Sequence, residues 1–66
     1  MYSTLNAERA RKHLSWKEIS DATGMKYSTL TKKIYAGLDF TLEQAIAIKT
    51  ALGVEMPIEE LFKKED

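Results

Sequence analysis

The sequence predicts an all-α domain of five short helices, and three observations carry that prediction. Apolar residues recur at spacings of three and four, the period of a helix with one buried face. Runs of alternating β-branched residues, which would mark strands, are absent. The single proline and the three glycines each fall where a helix should begin or end. At 66 residues the chain makes one domain. A chain of this size buries only about 60% of the surface that it exposes when unfolded, so its margin of stability is thin. It has no cysteine, hence no disulfide or thiolate zinc site to help. Compact helix packing or a partner chain must supply the rest.

The first helix is expected from about Thr4 to His13, capped by Ser3 or Thr4. Ala7, Ala10 and Leu14, with Leu5 alongside, predict a narrow core face of mostly small residues. Arg9, Arg11 and Lys12 lie elsewhere on its surface, as a solvated face or as phosphate contacts. His13, the sole histidine, stands where it can complement the helix C-terminus.

The second helix has the strongest local signature. Ser15 followed by Glu18 spells a capping box, and Leu14 with Ile19 spells the hydrophobic staple that goes with it. Ile19 and Ala22 are expected to point inward. Gly24 suits the left-handed residue that ends a helix, and Met25 can drop into the core across the turn.

The third helix is expected to begin near Lys26 or Tyr27 and to stop at Gly37, with Leu30 and Ile34 in the core. Ser28, Thr31 and Lys32 then project away from that core, flanked by Thr29 and Lys33. Lysine cannot cap a helix, so Ser28 could take that role and shift the start. The choice decides which side chains lead.

Leu38–Phe40 is a short connection. Thr41 with Gln44 is a second capping box, and Phe40 with Ala45 a possible staple. Leu42, Ala45, Ile46, Ile48 and Leu52 predict a broad apolar stripe and thus the central helix, ended by Gly53. Val54 and Met56 should pack inward. Pro57 suits the first turn of a last helix, whose apolar face is Ile58, Leu61 and Phe62. Glu59 and Glu60 early and Lys63 and Lys64 late would match its dipole. The tail Glu65–Asp66 is expected to fray.

Net charge is zero, but the distribution is polar. Residues 1–38 carry seven Lys or Arg against three acids, a net +4, and residues 39–66 carry three Lys against seven acids, a net −4. One face of such a domain can meet an anion while the other stays clear of it. No apolar run approaches the roughly 20 residues of a membrane span, and the N-terminus lacks a signal-peptide core. The expectation is a soluble cytoplasmic protein.

Catalysis is poorly served. There is one histidine, no cysteine and no glycine-rich phosphate loop. Glu59 and Glu60 are adjacent and splay apart on a helix, and no cluster offers metal ligands. We therefore expect no enzyme, no cofactor and no metal.

Recognition is better served. Two short helices joined by a three- to four-residue glycine-containing turn form a helix-turn-helix, here over about residues 15–36 with a second helix over about 27–36. Such a second helix enters the DNA major groove with its N-terminal residues at the base edges. Lys26, Tyr27 and Ser28 lead this helix, and Thr31 and Lys32 come one turn later. Lys32 can donate to guanine acceptors. Ser28 and Thr31 can bond either base, and the Thr31 methyl can touch a thymine methyl. Tyr27 can pack on bases or half-bury over the turn. Lys33 flanks the face as a phosphate contact.

The chain resembles the Cro/cI-type helix-turn-helix family of phage repressors and related bacterial regulators. The matching stretches are LNAERARKHLSWKEISDATGM, YSTLTKKIYAG and DFTLEQAIAIKTALGVEMPIEELF. They cover about Leu5 to Phe62. The resemblance implies a compact five-helix repressor-like domain, often dimeric, on a pseudo-palindromic operator in double-stranded DNA. By position it implies base reading by Tyr27, Ser28, Thr31 and Lys32. It implies backbone contact by Trp16 and Lys17 at the start of the second helix and by Phe40 and Thr41 before the fourth. Two residues depart from the pattern. Trp16 stands where the family commonly has Gln, and either bonds a phosphate through its indole N–H or packs on Leu14 and the turn. Lys26 stands where a capping Ser or Thr is common. The expected function is a sequence-specific repressor or Cro-like regulator acting as a homodimer. The alternative is a protein-interaction module on the same fold, an antirepressor or a toxin partner. Dimer contacts would use the last helix and nearby loops, with Met56 or Phe62 either as candidates or as simple core residues.

Overall fold

A computed structural model describes residues 2–64. Five helices and no strand occur among the described residues: α1 (Ser3–Arg11), α2 (Trp16–Thr23), α3 (Tyr27–Ala36), α4 (Leu42–Leu52) and α5 (Ile58–Leu61). None is long and apolar enough to cross a membrane. α2 packs on both α3 and α4, α4 also packs on α5, and α5 returns to α1. Each helix supplies one fully buried aliphatic side chain to a shared centre: Leu5, Ile19, Leu30, Ile48 and Leu61. Each contributes roughly 1.5–3 kcal/mol relative to exposure. Leu14, Met25, Val54 and Met56 close over this centre from the connections.

Both capping boxes and all three glycine stops form as the sequence spells them. Ser15 Oγ accepts from the Glu18 amide at 3.1 Å, and the Ser15 amide donates to Glu18 Oε1 at 2.9 Å. Thr41 and Gln44 repeat the exchange at 3.1 and 3.0 Å. Gly24, Gly37 and Gly53 end α2, α3 and α4. At Gly24 the requirement is the backbone itself: its φ is +76°, while a Cβ there would meet nothing within 4 Å.

Six expectations about helix faces and ends are corrected. In α1, Tyr2 occupies the N-cap position without a capping bond, so neither Ser3 nor Thr4 caps. Ala7 and Ala10 are exposed, and the inward line is Tyr2, Leu5 and Arg9, again spaced by three and four. Larger side chains win the core face because they bury more apolar area than alanine. α1 also stops at Arg11, and His13 follows in a left-handed conformation at φ +58°. In α2, Ala22 is exposed and Ser20 is buried instead, its hydroxyl donating to the Lys17 carbonyl at 2.7 Å.

In α4 the inward line is Ala45, Ile48 and Leu52. Leu42 and Ile46, expected in the core, are 68% and 48% exposed. α4 can turn only one side to α2 and α5, and these two residues share the other. α5 is a single turn with Pro57 at its N-cap, so Lys63 and Lys64 lie beyond the helix and do not serve its dipole. Lys64 pairs instead with Asp39. The expected fraying of Glu65–Asp66 lies outside the described residues.

Tyr2, Phe40 and Phe62 form an aromatic cluster that ties the N-terminus, the α3–α4 connection and the end of α5 together. The ring centroids are 5.3 Å apart for Tyr2–Phe40 and Phe40–Phe62, and 6.1 Å for Tyr2–Phe62. The Tyr2 hydroxyl donates to the Leu38 carbonyl. Burial raises the Tyr2 phenol above its ordinary range, so the neutral donor form is the one held there.

Candidate functional site

The unit formed by α2, the turn Gly24–Lys26 and α3 carries the side chains of interest. Thr23 stitches the turn: its hydroxyl donates to the Ile19 carbonyl at 2.8 Å and accepts from the Met25 amide at 3.4 Å. Leu30 and Ile34 press α3 onto the core. Helical geometry then fixes what faces out. At about 100° per residue, Ser28, Lys32 and Tyr35 fall within roughly 60° of one another, on the side opposite Leu30 and Ile34. All three are exposed.

The start of α3 is Tyr27. Lys26 is extended, at φ −62° and ψ 136°, and its side chain makes no capping bond. Ser28 sits inside the helix and does not cap it. The leading amides of α3 therefore lack side-chain acceptors, and a lysine stands beside them at the positive end of the helix dipole. A protein optimising only its own stability would place an acceptor here.

The five candidate base readers divide. Lys26, Ser28 and Lys32 are exposed and carry no ion pair or side-chain hydrogen bond among the described residues. Tyr27 is half exposed, at 50%, at the leading edge. Thr31 is half-buried to one side, and its hydroxyl donates to the Tyr27 carbonyl at 3.0 Å. That leaves its oxygen lone pairs and its methyl to face a partner.

The five candidate phosphate contacts differ in how the chain engages them. Trp16 is 7% exposed, and its Nε1 is buried with no hydrogen-bond partner among the described residues. The indole N–H is thus out of reach of a phosphate, and the packing alternative holds. Arg9 lies 5.0 Å over the Trp16 ring and donates to the Leu14 carbonyl at 2.7 Å. This pair clamps α1 to the start of α2. Lys33 donates to the Asp39 carbonyl at 2.8 Å and sits 5.7 Å from the centroid of Phe40. It braces the α3–α4 connection. Phe40 belongs to the aromatic cluster. Thr41 has both its hydroxyl and its amide engaged by Gln44. Lys17 is exposed and pairs with Asp21 at 3.0 Å. Both partners are largely in solvent, so the pair is weakly held and Lys17 can exchange it for another anion.

Tyr35 escaped the sequence reading. It is 62% exposed on the outward stripe of α3. The signal was available in its spacing, seven residues after Ser28 and three after Lys32. Among the described residues, no three His, Cys, Asp or Glu side chains gather to hold a metal ion. No family model, curated protein or solved structure matches this chain.

Proposed function

We propose that this chain is a sequence-specific double-stranded DNA-binding protein, a repressor or Cro-like regulator of phage or prophage type, that reads the major groove with α3. The observation that carries the reading is the outward stripe of α3. On a helix-turn-helix closed by Gly24, the side chains turned away from the core are a serine, a lysine and a tyrosine, with Lys26 at the leading end. A helix fits the major groove by width, and each base pair there presents its own donor and acceptor pattern. In this reading Lys26, Tyr27, Ser28 and Lys32 meet base edges, Thr31 offers its methyl and lone pairs, and Lys17 meets the backbone. The protein acts in the cytoplasm, as a binder and not an enzyme, without cofactor. It binds as a homodimer to half-sites about one helical turn apart.

Binding-site selection on the purified protein, followed by gel shifts of the selected duplex against scrambled DNA, tests this. Selective binding that weakens as salt rises is the expected result. Equal or absent binding to every duplex would remove the reading.

One observation favours a second reading, a protein-interaction module on the same fold. Leu42 and Ile46 present an apolar pair on the outer side of α4, and several cations of the basic half are engaged within the chain. A protein that captures no DNA in the selection would be of this second kind.

A further inference from the structure

We infer that Tyr35 is a phosphate anchor at the trailing end of α3, setting how deeply that helix seats in the groove. The inference rests on the DNA reading above and extends it to a residue outside the leading turns. Tyr35 is 62% exposed, and its hydroxyl forms no hydrogen bond among the described residues. It shares the outward face with Ser28 and Lys32, so it points where they point.

Its position along the helix assigns the role. Tyr35 stands seven residues behind Ser28, about 10.5 Å along the axis at 1.5 Å per residue. The major groove is about 8.5 Å deep. A recognition helix lies in the groove with its N-terminal end at the base edges, so a tilt that lifts its trailing end carries Tyr35, about 10.5 Å behind Ser28, toward the lip of the groove where the phosphates run. The last turn of a helix offers an anion no help from the backbone, since its free carbonyls and the dipole are negative there. A side-chain donor must do that work. Of the other residues in this turn, Lys33 is tied to the Asp39 carbonyl, Ile34 is buried and Ala36 has no donor in its side chain. The Tyr35 phenol is the group left to donate to a phosphate oxygen. A contact of this kind positions the protein without reading sequence.

The test compares the wild-type chain, Tyr35→Phe and Tyr35→Ala on the selected duplex and on an unrelated duplex at low salt. A second set of selected duplexes carries one neutral methylphosphonate at each backbone position in turn. Tyr35→Phe is expected to weaken both duplexes about equally, by about tenfold, the loss expected for one hydrogen bond to a charged group. One methylphosphonate per half-site should weaken the wild type and leave Tyr35→Phe unchanged. Because the side chain is exposed, all three proteins should show the same unfolding midpoint. If Tyr35→Phe binds like the wild type, the anchor is disproved while the DNA reading stands. If it loses affinity only for the selected duplex, Tyr35 reads a base and the phosphate role is overturned. If the wild type binds no duplex, the DNA reading itself fails and the anchor goes with it.

Discussion

Lys26→Ser should make the protein more stable and, under the proposed DNA reading, a weaker DNA binder at once. Lys26 holds the N-cap position of α3 in an extended conformation that a capping serine also adopts, yet its side chain gives the helix no acceptor. A serine there can accept from the Thr29 amide, the third residue of the helix. Gaining a cap is worth about 1 kcal/mol. Removing a positive charge from the positive end of the dipole adds about 0.3–1 kcal/mol. The sum is about 1–2 kcal/mol. For a domain of this size that corresponds to a rise in Tm of roughly 7–14 °C. Lys26→Ala separates the two contributions, since it removes the charge without supplying a cap and should recover only the smaller part.

Thermal and urea unfolding of the three proteins measure the stability side, and titration of the selected duplex measures the other. Under the DNA reading both substitutions weaken binding by about tenfold, the cost of one contact to a base edge. A serine variant no more stable than the wild type would show that α3 does not start at Tyr27. Unchanged affinity in both variants would show that the leading end of α3 does not touch DNA. The opposed signs matter most. A residue that costs stability where it stands and adds affinity is one kept for binding.

Two further outcomes follow from features outside α3. His13 is held at φ +58° just after α1, so His13→Gly should raise the unfolding free energy by about 1 kcal/mol in urea titrations. Lys64→Met should lower stability in a pH-dependent way. The hydrogen bond and charge of Lys64 hold the Asp39 carboxyl below its ordinary value of 3.8, and Asp39 in turn raises Lys64 above 10.5. A lowered carboxyl stabilises above its unfolded value and loses that effect as pH falls through its folded value. A raised ammonium stabilises below its unfolded value and loses that effect as pH rises through its folded value. The difference between variant and wild type, read from urea midpoints, should therefore be small but present between about pH 4 and 10, and vanish in stronger acid. High salt should shrink it, because the pair is exposed.

What was legible in the sequence was what neighbours in the chain decide. Ser15 and Glu18, Thr41 and Gln44, and the three glycines act within four residues of themselves, so both caps and all three stops could be read directly. Faces were harder. Ala7 and Leu42 look as inward as Leu5 and Ile48 until α1 has been laid on α5 and α4 on α2. The orientation of one helix is chosen by the partners that it meets. Contacts between distant residues were not legible. Arg9 over Trp16, and Tyr2 with Phe40 and Phe62, depend on the completed fold. They bury the Trp16 indole N–H that was expected on a phosphate and set the Phe40 ring in the aromatic cluster. The hydrogen bond of Lys33 to the Asp39 carbonyl in the loop that follows was not legible for the same reason.

Under the DNA reading, those reassignments change what the electrostatics of binding should look like. The +4 of residues 1–38 suggested a broad basic face. Within that half, Arg9 is held by Leu14 and Trp16, Arg11 pairs with Glu8 at 2.6 Å, and Lys33 is turned to Asp39. The cations of the helix-turn-helix left to meet phosphates or bases are Lys17, Lys26 and Lys32. Each phosphate neutralised contributes about −0.9 to the slope of log affinity against log salt. The expected slope therefore runs from roughly −1 for each chain bound, with Lys17 alone on a phosphate, to roughly −3 with all three lysines near phosphates. Binding to arbitrary DNA should be correspondingly weak, so discrimination must come from base contacts and from two chains acting on one site. A measured slope near −6 per chain would mean that Lys33 or the cations of α1 leave their partners on DNA. It would then be the charge of the whole N-terminal half, and not the exposed stripe of α3, that governs affinity.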